Sequence, residues 1–119
     1  MCWSVLNRSG GMKVYIAGPM TGIDKFNFPA FDQAAMWLGR CGYDVVSPAQ
    51  LDRDAGFDPK DYLPERDLAG IVRRDVNAVL ECDSIFMLDG WEKSRGARAE
   101  WELAVWSDKT IMYEAGVNG

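Results

Sequence analysis

Residues 83–104 read DSIFMLDGWEKSRGARAEWELA, and this stretch decides the fold. Ser84, Ile85, Phe86, Met87 and Leu88 make a short apolar, β-prone run that stops abruptly at Asp89-Gly90. A polar loop follows, and from Gly96 the sequence resumes with helical spacing and carries Glu100. Strand, loop, helix is the repeating unit of an open α/β sheet, where ligands bind in the crevice at the carboxyl ends of the strands. A loop that leads into a helix also offers unpaired backbone N–H groups to an anion. The candidate site is therefore the loop opening at Asp89, the helix start at Ser94, Gly96 and Ala97, and the carboxyl group of Glu100.

Upstream, Val14-Tyr15-Ile16-Ala17 is a second short apolar run, ended by Gly18-Pro19, and residues 13–17 read as the first strand, buried on both faces. Gly18, Pro19, Met20, Thr21 and Gly22 form a loop whose two glycines permit close backbone approach. It lacks the three spaced glycines of a dinucleotide site and the Lys-Ser/Thr ending of a phosphate loop, so an ordinary tight turn and a ligand contact are both open readings. Asn27 is placed to cap the next helix, with Pro29 in its first turn and Phe28, Phe31, Ala35 and Leu38 on its apolar face. Tyr43 to Ser47 follows as a strand closed by Pro48. The polar residues 49–63 read as an excursion loop with room for a helical turn, and residues 64–82 as a helix with Leu68, Ile71, Val72, Val76, Val79 and Leu80 on one broad face. Asp75 borders that stripe. The last helix spans about residues 94–107, and Thr110 to Tyr113 is a fourth strand. The sum is one α/β domain over residues 12–119, a small doubly wound, Rossmann- or flavodoxin-like parallel sheet of four to five strands with helices on both faces.

At 119 residues and 48% hydrophobic content the chain fits one domain. A net charge of −5 argues against a nucleic-acid polymer or an anionic membrane surface as partner, since phosphate backbones require clustered Lys and Arg. Cys2, Cys41 and Cys82 are odd in number and widely spaced, which suggests neither a disulfide framework nor a zinc site and leaves the cytoplasm as the default compartment. Histidine is absent, so Ser-His and Cys-His nucleophile pairs and His-ligated metals are excluded. No metal or cofactor is expected, and carboxylates, Tyr, Lys and Cys remain for chemistry. Residues 1–11 lack the basic start and apolar run of a signal peptide and read as an extension outside the domain.

Gly96 and Glu100 share a helix face with Ala97 and Ala104 nearby, which leaves room for a ligand beside the carboxyl group. Glu102 is turned about 200° away and should face solvent. Ser94 is a natural N-cap, and a capping hydroxyl with the N–H groups of a first turn also suits a single phosphate. Arg95 and Arg98 would add positive charge.

Three motifs in order, KVYIAGPMTG, RRDVNAVLECDSIFML and SRGARAE, resemble the nucleoside 2-deoxyribosyltransferase superfamily, including the 2′-deoxynucleoside 5′-monophosphate N-glycosidases. The resemblance covers about residues 12–113. It implies that Glu100 is a nucleophile that attacks C1′ of a sugar, that Asp75 is a proton donor to the departing base, and that Tyr15 hydrogen-bonds the nucleophile. Asp75 as a donor near neutrality would require burial that favours its protonated form. It further implies that Ser94 contacts a 5′-phosphate, that residues 18–22 flank sugar and base, and that the chain is a homodimer joined through exposed apolar helix faces. The relatives commonly carry Gly two residues after the nucleophile, where this chain has Glu102. The expected substrate is a nucleoside or nucleotide, cleaved by hydrolysis, with base exchange or a non-catalytic nucleotide-binding role as alternatives.

Overall fold

In the computed structural model, residues 12–59 and 67–114 are described. Expectations for residues 1–11, for the end of the 49–63 loop and for the first residues of the 64–82 helix lie outside them. Four strands, β1 (Lys13–Ala17), β2 (Asp44–Val46), β3 (Ser84–Met87) and β4 (Thr110–Tyr113), form one parallel sheet in the order β2-β1-β3-β4. Four helices accompany them, α1 (Phe28–Arg40), α2 (Pro48–Asp54), α3 (Leu68–Glu81) and α4 (Arg95–Trp106).

The central strands are the apolar runs, as they must be when both faces are covered. β1 and β3 are buried almost throughout, whereas the edge strands β2 and β4 are partly exposed. Alternation along β1 sends its side chains to two cores. Val14 and Ile16 pack with Phe28, Phe31 and Leu38 of α1 and Ala49 of α2. Tyr15 and Ala17 pack with Val79 of α3 and Ala97 and Ala104 of α4. One pair of helices thus covers each face, the doubly wound arrangement.

Several local expectations are corrected. Pro48 does not merely close a strand; it occupies the first turn of α2, where a missing N–H costs nothing, and the helix runs to Asp54 through what reads as polar loop. Asn27 precedes α1 but in left-handed backbone, φ 61°, and makes no capping hydrogen bond; its side-chain amide donates to the Pro19 carbonyl instead, at 3.0 Å. The apolar face of α3 is mostly not core. Only Val79 is buried, and Leu68 is 70% exposed. Cys41 is disulfide-bonded, against the reading of the cysteines as a set without a bridge, while Cys82 is a free, buried thiol. No helix among the described residues is long and apolar enough to cross a membrane.

Candidate active site

The strand order reverses between β1 and β3, where connections leave in opposite directions and a crevice opens at the carboxyl ends. Gly18 leaves β1 there, closely packed: a Cβ on Gly18 would lie 2.8 Å from Leu88 Cβ and Cδ1. The Gly here lets the two chain segments pass. After β3, Gly90 turns the chain with φ 86°, and Ser94 opens α4 by accepting a hydrogen bond from the Ala97 N–H at 3.1 Å. One turn later, α4 brings Glu100 against β1.

The Tyr15 hydroxyl donates to Glu100 Oε2 at 2.8 Å, across 85 residues of sequence. Tyr15 is fully buried. Burial, followed by the charge of Glu100, pushes its phenol well above the ordinary value, so it remains a donor at physiological pH. Burial likewise raises the Glu100 carboxyl to about 8; the Tyr15 hydrogen bond opposes the rise, the Asp75 charge adds to it, and Arg74 opposes it. Near neutral pH the protonated form of Glu100 is therefore favoured.

Glu100 lines a cavity of about 750 Å³. Its floor includes Gly18, Ala97 and Ser94, and an added Cβ at Gly96 would meet open space. Met20, Thr21 and Phe26 form one side, and α3 supplies Ile71, Val72, Arg74, Asp75 and Val76 on another. This explains the uncovered apolar face of α3: it fronts the cavity rather than the sheet. Leu103 and the 84% exposed Trp106 extend the apolar lining along α4.

Asp75 is bound to its neighbour Arg74, whose Nε donates to Asp75 Oδ1 at 2.9 Å. Arg74 Nη2 also donates to Asp52 Oδ1 of α2 at 2.9 Å, and the Asp52 residue is only 3% exposed. Burial works against the Arg74 charge, yet the hydrogen bonds and charges of Asp52 and Asp75 outweigh it and hold the guanidinium above its ordinary value. Neither Asp52 nor Arg74 stands out in the sequence. The available signal was Ser47-Pro48, a helix start that would have put Asp52 one turn into a helix.

The cavity thus brings together Glu100, Asp75, Gly18, Met20, Thr21, Ser94, Gly96 and Ala97, with Tyr15 behind Glu100. Pro19, Gly22 and Asp89 are not among its lining residues. Pro19 holds Asn27, Gly22 turns with φ 85°, and the Asp89 N–H donates to Glu114 Oε1 at 2.7 Å. Glu102, exposed as its angle requires, nevertheless borders the cavity. Arg95 and Arg98 are exposed and do not line it. Trp91 and Trp101 stack on each other at 5.5 Å, and the Trp101 indole N–H donates to the Tyr113 hydroxyl; neither ring lines the cavity. Among the described residues no group of His, Cys, Asp and Glu is placed to hold a metal ion.

Fold and site define a small Rossmann-like α/β protein in which a buried Tyr holds a part-buried Glu beside a cleft at the sheet's switch point. The chain belongs to the family described as a domain of unknown function (DUF4406), whose family model matches residues 12–113. No curated protein matches it.

Proposed function

We propose that the protein cleaves the N-glycosidic bond of a (deoxy)nucleoside 5′-monophosphate, through a covalent bond between Glu100 and C1′ of the sugar. The observation that supports this reading is the 2.8 Å hydrogen bond from Tyr15 to Glu100 Oε2, in the wall of a cavity that also holds Asp75. As a carboxylate, Glu100 attacks C1′ while the C1′–N bond breaks and its electron pair leaves with the base. The proton that Glu100 holds at neutral pH must first depart, and the base must gain one; Asp75 serves as the relay between them. Water then adds at C1′, its proton returns to the carboxylates, and the Glu100 ester is released. Ser94 and the first turn of α4 hold the 5′-phosphate.

Charge balance favours a second reading at the 5′ end. Among the described residues Arg74 is the one cation lining the cavity, and it is bonded to both Asp52 and Asp75. A phosphate would also meet the charge of Glu102. An uncharged nucleoside, with exchange of its base for another, avoids that repulsion. The apolar rim formed by Leu68, Val72 and Trp106 suits a homodimer contact in either case.

The deciding experiment incubates wild type and Glu100→Gln with nucleosides and nucleoside monophosphates, with and without a free acceptor base. Release of base from monophosphates without acceptor supports hydrolysis; product formed only with acceptor supports exchange. Ligand binding without turnover, indistinguishable between wild type and Glu100→Gln, would leave a nucleotide-binding protein and sink the catalytic reading.

A further inference from the structure

The cavity contains a charged chain that the glycosidic mechanism does not explain. Asp52 comes from α2, packed on the opposite face of the sheet from α4, and reaches round to α3. An aspartate this buried is costly unless it is paired, and truncating one partner of such a pair leaves the other charge exposed to the full penalty. Among the described residues a partner is Arg74, whose single Nη2 atom lies 2.9 Å from both Asp52 Oδ1 and Asp75 Oδ1, while its Nε makes a further contact with Asp75. A guanidinium fastened at two points by carboxylates from two helices has little freedom to move. Its charge is thereby fixed in the wall that faces Glu100.

We propose that Arg74 is a positioning residue for Glu100, that Asp52 anchors it, and that Asp52 acts on Glu100 only by holding Arg74 in place. Among the described residues, the groups that face Glu100 are Tyr15 from β1, Arg74 and Asp75 from α3, with Asp52 of α2 behind Arg74, and Glu102 further along its own helix. Asp75 makes ionisation of Glu100 harder, and Arg74 makes it easier. Without the clamp the balance shifts toward the two aspartates. The inference holds whether or not the site turns over a nucleoside, because it concerns only which proton Glu100 keeps.

The direct test follows the side-chain carboxyl ¹³C resonance of Glu100 by NMR across pH 5 to 10, assigned by its loss in Glu100→Gln, in wild type, Arg74→Met, Arg74→Lys and Asp52→Asn. The wild-type midpoint lies near 8. Arg74→Met raises it by about one pH unit, the lower end of what a nearby opposite charge supplies. Arg74→Lys, which keeps the charge, stays closer to wild type. Asp52→Asn is the sharpest case: removing a negative charge would by itself lower the midpoint, whereas release of Arg74 raises it. A rise in Asp52→Asn supports the anchor. A fall or no change, even with a lower melting temperature, means that Asp52 merely ties α2 to α3 and overturns the proposal. Should Arg74→Met not fold, the shape-conserving Asp52→Asn and the charge-conserving Arg74→Lys decide it. Loss of base release would not bear on this result, and a normal titration with no base release would sink only the glycosidic reading.

Discussion

Replacing Glu100 by Gln keeps the side chain's shape and removes its titration, which makes the cost of holding this carboxyl group measurable. In the unfolded chain the group ionises near its ordinary value of 4.5; in the fold, burial raises it to about 8. Between those values the folded state keeps a proton that the unfolded state has released. Its contribution to stability is therefore fully present below about pH 4.5 and is lost as pH rises through 8. Each unit of difference corresponds to about 1.4 kcal/mol, and because Glu100 retains some access to water we take the total loss as on the order of 2–4 kcal/mol. For a domain of this size, about 4 °C per kcal/mol makes that roughly 8–16 °C of melting temperature. Thermal unfolding followed by circular dichroism, at half-unit steps from pH 5 to 9.5, gives the comparison. Glu100→Gln should gain on wild type steadily across the window, and the difference between the two curves should level off above pH 8. Parallel curves would show that Glu100 ionises normally in the fold, and the reasoning about a desolvated carboxyl would fail.

Tyr15→Phe removes a hydrogen bond that favours the Glu100 carboxylate; such bonds to charged groups contribute about 1.5–3 kcal/mol, so the Glu100 midpoint should rise above 8 by roughly one to two units. On the glycosidic reading base release at pH 7 then falls about 10- to 100-fold and recovers as pH is raised, and a profile with an unmoved midpoint would contradict the role given to Tyr15. Ser94→Ala loses the α4 cap and should cost about 1 kcal/mol in urea unfolding. If Ser94 also holds phosphate, KM rises for a monophosphate and not for the matching nucleoside; equal changes for both would confine Ser94 to capping. Gly18→Ala places a methyl group 2.8 Å from Leu88 and should destabilise by about 1–3 kcal/mol, a loss that Leu88→Ala in the same chain reduces below the sum of the single effects.

What was legible in the sequence followed burial. β1 and β3 are covered on both faces, so their apolar runs could hardly be read otherwise, and Ser94 announced the start of α4 by the chemistry of a cap. α2 was hidden because its residues, PAQLDRD, alternate charge without apolar period and the preceding Pro suits a strand end as well as a helix start. With it went Asp52. α3 was recognisable as a helix from its spacing, but spacing cannot say whether an apolar stripe meets a sheet or a cavity, and here Leu68 and Val72 meet the cavity. The Tyr15–Glu100 contact joins residues 85 apart, and neither side chain carries any local signal of the other. It entered as an implication of family resemblance, whereas the Arg74 clamp required the packed chain: Arg74 lies within the motif RRDVNAVLECDSIFML, but nothing there points to Asp52.

The electrostatics also constrain what kind of ligand the cavity suits. A neutral molecule that fills it removes further water from Glu100 and favours the protonated acid still more. Beyond what the Tyr15 hydrogen bond and Arg74 supply, a carboxylate there is stabilised further when positive charge appears beside it. Such a charge develops on a sugar at C1′ as the bond to its base lengthens, so the interaction is weak with the bound ground state and strong in the transition state, the condition for binding energy to increase rate. Arg74 sets how far this can go: fastened to Asp52 and Asp75, its guanidinium favours the ionised form of Glu100 from the cavity wall while it stays bonded to the two aspartates. Holding a carboxyl group in this condition costs stability that grows between about pH 4.5 and 8, and the proposed glycosidic reaction would give that cost a use.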